Sequence, residues 1–260
     1  MKVAAVQHDI VWCDRRANFE RLAPRIAAAA DEGARLVVLS ETFSTGFAVG
    51  AEDFAEPEDG PSSEFLRSTA VRHGIWLAGS CPEIPAVPPT GSSPDDRRPA
   101  NTLVLADPSG EVYRYRKIHP FTYGGEDRHV RPGVDLVTVR VDDLRVSLFV
   151  CYDLRFSDEF WQLAPDTDLY LVPANWPASR REHWITLLRA RAIENQAYVI
   201  GCNRVGEGGG LTYSGDSLII DPFGEILADG GDVEGTSFAD VTAERVADVR
   251  DRFRFLQDRR

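Results

Sequence analysis

No apolar run in this 260-residue sequence approaches the ~20 residues of a membrane-spanning helix. The opening stretch Val3-Ala4-Ala5-Val6 is cut off by Gln7, His8 and Asp9, too soon for the apolar region of a signal peptide. These absences predict a cytoplasmic protein without a membrane partner. Close cysteine pairs are also missing. Cys13, Cys81, Cys151 and Cys202 stand far apart, a spacing that argues against both a disulfide framework and a zinc site, so each thiol is expected to be free and no metal is expected. Basic residues are in deficit as well. Lys plus Arg 29 against Asp plus Glu 41 leaves a net charge of -12, which repels polyphosphate backbones and anionic headgroups and removes nucleic acid from the expected partners.

What is present suits a single large globular domain over residues 1–260: 43% of the chain is hydrophobic and 27% charged, enough apolar material for a sizeable core. Strand and helix patterns alternate, and their order occurs twice. Residues 3–7 form a short apolar run, 16–32 have helical composition, and 35–40 read as a buried strand ending at Glu41. Residues 145–150 read as a strand ending at Cys151, 158–163 as helical, and 168–173 as a strand leading to Asn175. Each half continues with a helix and a strand, 61–73 then 75–79 and 182–195 then 198–201, and closes with a hairpin. Both hairpins turn on Asp-Pro-x-Gly, Asp107-Pro108-Ser109-Gly110 and Asp221-Pro222-Phe223-Gly224.

Helix 182–195 carries Trp184, Leu187, Leu188 and Ala192 on one face of a 3.6-residue period, whereas the strands are apolar on both sides. A sheet apolar on both faces needs helices against one and something equally apolar against the other; the sister sheet is the economical choice. The expected fold is an α/β four-layer α-β-β-α sandwich built from two related halves, with a single mixed sheet covered by helices as the alternative. Residues 82–99, rich in Pro, Ser and Asp, read as a surface loop, since Pro85, Pro88, Pro89 and Pro94 forbid a central strand. Residues 206–210 (Gly-Glu-Gly-Gly-Gly) read as a flexible connection that opens no helix and therefore makes a poor phosphate cradle. Residues 243–257 read as a helix packed on the body or on a second subunit.

Taken singly, the chemically capable residues carry little. A cysteine after an apolar strand is more often a small buried hydrophobe than a nucleophile, and a carboxylate at a strand end more often caps a turn or pairs with an arginine. Position changes the balance, because Cys151 and Glu41 both stand where an apolar strand ends, the place where chemistry gathers in α/β architectures. Lys117 follows 111–116, and alternation places it on one side with Tyr113 and Tyr115 while Arg114 and Arg116 face away. That pattern fits a lysine drawn inward and also a surface lysine flanked by aromatics.

Three segments, Leu39-Ser40-Glu41-Thr42-Phe43, Arg116-Lys117-Ile118-His119-Pro120-Phe121 and Val150-Cys151-Tyr152-Asp153-Leu154-Arg155-Phe156, resemble in order and spacing the Glu, Lys and Cys signatures of the nitrilase (carbon-nitrogen hydrolase) superfamily. The resemblance extends through Asn175-Trp176-Pro177, residues 189–198 and Gly215-Asp216-Ser217, and the wording is most like the bacterial omega-amidase branch. It implies the same four-layer sandwich in a homodimer or larger homo-oligomer, and an amidase of 2-oxo acid amides such as 2-oxoglutaramate that works without a cofactor on a small amide and water. In that role Cys151 is the nucleophile that forms a thioester, Glu41 the proton carrier, and Lys117 with the backbone N–H of Tyr152 the oxyanion partner. Glu126 falls where related sequences carry a second glutamate that helps position substrate and lysine. Arg155, Asn175 and Trp176 are candidate substrate contacts, and Arg180 and Arg181 join Arg155 as cations able to meet a carboxylate.

His119 is the rival base, since thiol hydrolases commonly pair Cys with His and strand parity would turn it toward Lys117's side. Cys13, Cys81 and Cys202 read as core residues. A nitrile, an N-carbamoyl compound or another linear amide is the alternative substrate, and a non-catalytic interaction module is the alternative class.

Overall fold

The computed structural model describes residues 1–51, 53–87 and 97–259. The first half runs β1 (Lys2–Gln7), α1 (Arg15–Asp31), β2 (Leu36–Val38), β3 (Glu56–Pro57), α2 (Pro61–His73), β4 (Trp76–Ile84), β5 (Ala100–Ala106) and β6 (Val112–Arg116). The short helix α3 (Glu126–His129) leads into β7 (Thr138–Val141), β8 (Leu144–Leu148), α4 (Ser157–Leu163), β9 (Leu169–Pro173), α5 (Arg181–Asn195) and β10 (Tyr198–Cys202). The chain continues through β11 (Val205–Gly208), β12 (Leu211–Ser214), β13 (Leu218–Ile220), β14 (Ile226–Asp229), β15 (Gly235–Asp240) and α6 (Ala243–Arg252). Helix α2 keeps its expected bounds: Pro61 suits a first helical position, and Gly74 (φ 64°) closes the helix in the left-handed region.

The two main sheets share one topology. Their strand orders are β15-β1-β2-β4-β5-β6, with β3 beside β4, and β7-β8-β9-β10-β13-β14. Each has an antiparallel edge strand, three parallel strands, and an antiparallel pair joined by the Asp-Pro-x-Gly turn. In both turns the aspartate accepts backbone N–H bonds from two and four residues on: Asp107 from Ser109 and Glu111, Asp221 from Phe223 and Glu225.

Strand alternation sorts the first sheet's residues into two cores. Ala4, Val6, Val37, Leu39, Leu77 and Val104 pack with Leu22 and Ile26 of α1 and Leu66 of α2. Val3, Ala5, Leu36, Val38, Ala78, Leu103 and Leu105 join residues of the second sheet. That central layer is direct sheet-on-sheet contact, for Cys202 Sγ lies 3.4 Å from the Val6 carbonyl and 3.2 Å from that of Val38. On the other face of β10, a Cβ on Gly201 would come within 2.4 Å of Leu188, so the glycine lets α5 seat closely. The result is the α-β-β-α sandwich.

Several local expectations need correction. Residues 206–210 are part of the paired β11–β12 hairpin, held by four register pairs from Val205↔Ser214 to Gly208↔Leu211, and glycine there allows tight turning at Gly209 (φ 56°) and Gly210 (φ 76°). Strand β4 runs on through Pro82 to Ile84, because it is the β5 register that continues there. Residues 88–96 of the expected loop lie outside the described residues. The edge strands β7 and β15 had no sequence counterpart. Helix α6 packs on the body: Val246 and Val249 are buried and Arg250 donates to the carbonyls of Ala164 and Thr167. All four cysteines are free, but Cys13 is exposed, in a left-handed turn (φ 58°), and belongs to no core. Among the described residues no helix is long and apolar enough to cross a membrane.

Candidate active site

Topology gathers the polar residues at one edge of the sandwich. With β2 and β4 parallel and β4, β5 and β6 successively antiparallel, the end of β2, the start of β5 and the end of β6 share an edge of the first sheet. Glu41, Asn101 and Lys117 stand there, and the Lys117 N–H continues the ladder to the Asn101 carbonyl at 2.9 Å. The second sheet brings Cys151 after β8 and Asn175 after β9.

Lys117 is drawn inward, as its parity with the buried Tyr115 allows, and is 1% exposed. Its Nζ donates to Glu41 Oε1 and to Glu126 Oε2, each at 2.9 Å. Asn101 Nδ2 bridges the same two carboxyls, 2.8 Å from Glu41 Oε1 and 3.0 Å from Glu126 Oε1. Ser80 Oγ holds the Asn101 carbonyl at 2.8 Å and so fixes which end of the amide points at the acids. Glu41 Oε2 accepts from Asn175 N at 2.8 Å, and Asn175 Nδ2 donates to the Glu41 carbonyl at 2.6 Å and to Thr42 Oγ1 at 2.9 Å. Glu126 Oε2 also accepts from Phe121 N at 2.5 Å. Glu41 and Glu126 are fully buried, which only such a set of donors makes tolerable.

Cys151 sits in the left-handed region (φ 45°) at the start of the 3-10 turn Cys151–Arg155. A non-glycine residue there costs about 1–2 kcal/mol, and Asp153 offsets it. The buried Asp153 carboxyl accepts from Val150 N and Tyr115 OH, at 2.9 and 2.8 Å, and from His119 N at 2.9 Å, clamping the turn from both sides. Burial pushes Asp153 up to about 6. Tyr152 lies in the first turn of that helix, where backbone N–H groups have no partner within the helix.

The electrostatics follow from burial and proximity. Burial raises the Cys151 thiol well above its usual pKa and the Glu41 charge adds to this, with Lys117 opposing. Burial alone would lower Lys117, but the Glu126 and Glu41 charges prevail and raise it well above the ordinary value. The arrangement is therefore a neutral thiol beside a carboxylate, with a permanent ammonium across from both.

These groups form the floor of a cavity of about 210 Å³. Tyr152, Arg155, Asn175, Trp176 and Arg180, all singled out in the sequence, line it too. Arg181 does not: it is a two-point partner of Asp216, at 2.8 Å through both Nε and Nη2. His119 is also elsewhere. Strand β6 ends at Arg116, so alternation no longer governs position 119; its ring stacks on Phe156 at 3.7 Å and its Nε2 meets Glu159 at 2.8 Å. Sequence reasoning missed Asn101, Ser80 and the clamp function of Asp153, although a polar Asn101-Thr102 pair opening the apolar strand β5 was a signal. It also missed Trp12, Phe47, Leu211 and Tyr213, wall residues that no motif marks. Among the described residues no group of three or more His, Cys, Asp or Glu side chains is placed to hold a metal ion.

Residues 2–251 match the family model described as carbon-nitrogen hydrolase. The chain is 37% identical to the omega-amidase YafV of Yersinia enterocolitica, over 99% of this chain and 96% of that protein. It is 32% identical to the 2-oxoglutaramate amidase of Bacillus subtilis, over 98% and 96%. A solved CN-hydrolase superfamily protein of Xanthomonas campestris, which carries an arsenic adduct in its active site, superposes with a TM-score of 0.90 at 33% identity, covering 100% of this chain and 97% of that one. With a buried Glu-Lys-Cys cluster on a doubled α-β-β-α sandwich and a family match along nearly its whole length, the chain belongs to the carbon-nitrogen hydrolase family.

Proposed function

We propose that this protein is an omega-amidase, which hydrolyses the terminal amide of a 2-oxo acid amide such as 2-oxoglutaramate or 2-oxosuccinamate through a thioester on Cys151. The observation that carries the reading is the shared cavity floor: Glu41, Lys117 and Cys151 line one cavity, and Lys117 Nζ lies 2.9 Å from Glu41 Oε1. A thiol held neutral by burial needs a base at the moment of attack, and Glu41 is the carboxyl that lines the cavity beside it. The sulfur attacks the amide carbon as its proton passes to Glu41. The oxyanion that forms is met by Lys117 and the Tyr152 N–H, each worth about 3 to 4 kcal/mol of transition-state stabilisation by analogy with single oxyanion donors.

The C–N bond then breaks, Glu41 returns the proton to the departing ammonia, and the acyl group stays on sulfur. Water attacks the thioester, giving a proton to Glu41; the C–S bond then breaks, the acid leaves, and Glu41 returns the proton to the Cys151 sulfur. Glu126 keeps Lys117 charged and aimed, and Asn175 fixes Glu41; the Asn175 Oδ1, buried and unpartnered among the described residues, is an acceptor for the substrate's amide N–H. Arg155 and Trp176 complete the substrate contacts. We assign the whole of residues 1–260 to one catalytic domain, working in the cytoplasm as a homodimer or larger homo-oligomer.

The names carried by the Yersinia and Bacillus relatives support this substrate class. The test is intact-protein mass spectrometry during turnover of a slow amide, followed by peptide mapping. Acyl mass on the Cys151 peptide is the expected result; acylation of Cys13, Cys81 or Cys202 instead, or of none, overturns it. Ammonia release from 2-oxoglutaramate, a simple nitrile and an N-carbamoyl amino acid then separates the substrate classes.

A further inference from the structure

In this acidic chain many arginines meet carboxylates. Arg145 pairs with Asp168, Arg181 with Asp216, Arg245 with Asp221 and Arg114 with Glu83. The two arginines that line the cavity do not. Among the described residues, Arg155 meets His183 Nδ1 at 3.2 Å and lies over the Trp176 ring at 4.7 Å, while Arg180 lies over the Phe121 ring at 5.5 Å. Neither has an anionic partner among the described residues. Burial and the nearby positive charge of Arg180 both lower the proton affinity of Arg155, so the two guanidiniums share one region. Like charges held together, beside the aromatic rings of Phe121, Tyr152 and Trp176, are an unfavourable arrangement until an anion joins them.

We infer that Arg180, seconded by Arg155, is the anion anchor of the cavity and the specificity-determining residue for a carboxylate at the end of the substrate remote from the amide. The inference rests on the proposed amidase function and names what that site selects. Charge orients the substrate. The reactive end holds two carboxyls, Glu41 and Glu126, against one ammonium, Lys117, and repels a substrate carboxylate when both are ionised; the arginine end attracts it. Only one orientation then presents the amide to Cys151. Stacking on Trp176 restrains Arg155, and the Trp176 Nε1–H bond to the Arg180 carbonyl, at 2.8 Å, ties the anchor's backbone to the same indole. A neutral amide would leave both guanidiniums in the cavity without a partner, a built-in penalty against the wrong substrate.

The experiment compares kcat/KM for 2-oxoglutaramate with that for butyramide, an uncharged amide of similar reach, in the wild type and in Arg180→Met and Arg180→Gln. A charged hydrogen-bonding partner is worth about 10- to 100-fold in binding, so the anionic-to-neutral ratio is expected to fall by that factor, mainly through KM for the anion. A ratio that stays put overturns the inference, whether both rates are unaffected or both fall together. An independent readout needs no turnover: 2-oxoglutarate is expected to protect Cys151 from iodoacetamide in the wild type at concentrations at least 10-fold lower than in Arg180→Met. Equal protection overturns the anchor. If neither amide acylates Cys151 in the wild type, the amidase reading itself fails and takes the anchor with it; acylation by both without preference for the anion sinks the anchor alone.

Discussion

The two halves of this sandwich repeat one topology and then spend it on different chemistry. At the end of β8 the second half carries Cys151, aimed into the cavity; at the end of β1 the first half carries Gln7 and His8, both buried. Gln7 is wholly structural, its amide donating to the carbonyls of Gly230, Gly231 and Val233 and accepting from Ser217 N. Burial holds His8 down at about 4, a neutral imidazole at neutral pH. At the end of β2 stands Glu41, and at the corresponding end of β9 stands Asn175, whose N–H groups bind it. The first half thus supplies the hydrogen-bonded pair Glu41 and Lys117, and the second supplies the sulfur, the donors that fix the acid, and the arginines. A duplicated frame lets matching strand ends converge from two sheets, but one cavity needs only one nucleophile and one base.

The largest test of that division contrasts the two carboxyls around Lys117. They bind the ammonium at the same 2.9 Å and share Asn101, yet of the two only Glu41 lines the cavity together with the thiol. Glu41→Gln is expected to lower kcat by about 1,000- to 10,000-fold, as removal of a general base does, and to leave Cys151 unacylated. Glu126→Gln leaves the base in place and disturbs the aim of Lys117 and the Asn101 bridge, so a loss of about 10- to 100-fold is expected. Single-turnover kinetics on both variants would break the distinction if the two losses were equal.

A smaller effect separates the Cys151 turn from the acid that clamps it. Asp153, an aspartate raised by burial to about 6, loses its charge as pH falls through 6 rather than near 4, and the protonated form accepts less well from Val150 N and His119 N. Activity is therefore expected to decline below about pH 6 while fully present above it. Asp153→Asn should lower kcat by about 10-fold at pH 7.5 and remove that acid limb from the pH–rate profile. A limb unchanged in the variant would assign it to another group.

The smallest contrast lies in the two hairpin turns. Asp107 is partly exposed and serves only its own loop, whereas Asp221 is 2% exposed and also receives Arg245 Nη2 at 2.6 Å. Asp107→Ala should cost about 1 kcal/mol and Asp221→Ala about 2 to 3 kcal/mol, the latter leaving a guanidinium without its partner. Urea midpoints with unchanged slopes would read this; equal shifts would mean that the Arg245 bond contributes nothing.

The sequence was a good guide wherever the information is periodic or local. The repeated strand–helix order, the Asp-Pro-x-Gly turns, the bounds of α2 and the face that Lys117 shares with Tyr115 were legible because alternation and turn chemistry are properties of neighbouring residues; that this face points inward is decided only when the sheets close. The strand β15 was not, since an edge strand half-exposed to solvent needs no strong apolar pattern when β1 supplies its register. Parity failed at His119 for the same reason that it worked at Lys117: it holds only as far as the ladder continues.

By itself, then, the order of residues determined two similar sheets, each apolar on both faces, and the polar groups that end their strands. Only tertiary structure decided which of those groups meet. That Asn101 bridges Glu41 and Glu126, that Asp153 holds the Cys151 turn, and that Arg181 is spent on Asp216 while Arg180 meets no anion among the described residues are outcomes of packing between segments tens of residues apart. Side-chain charge and hydrogen-bonding capacity are written in the sequence, but their partners are chosen by distance, and distance across a sandwich is fixed only when the two sheets close on each other.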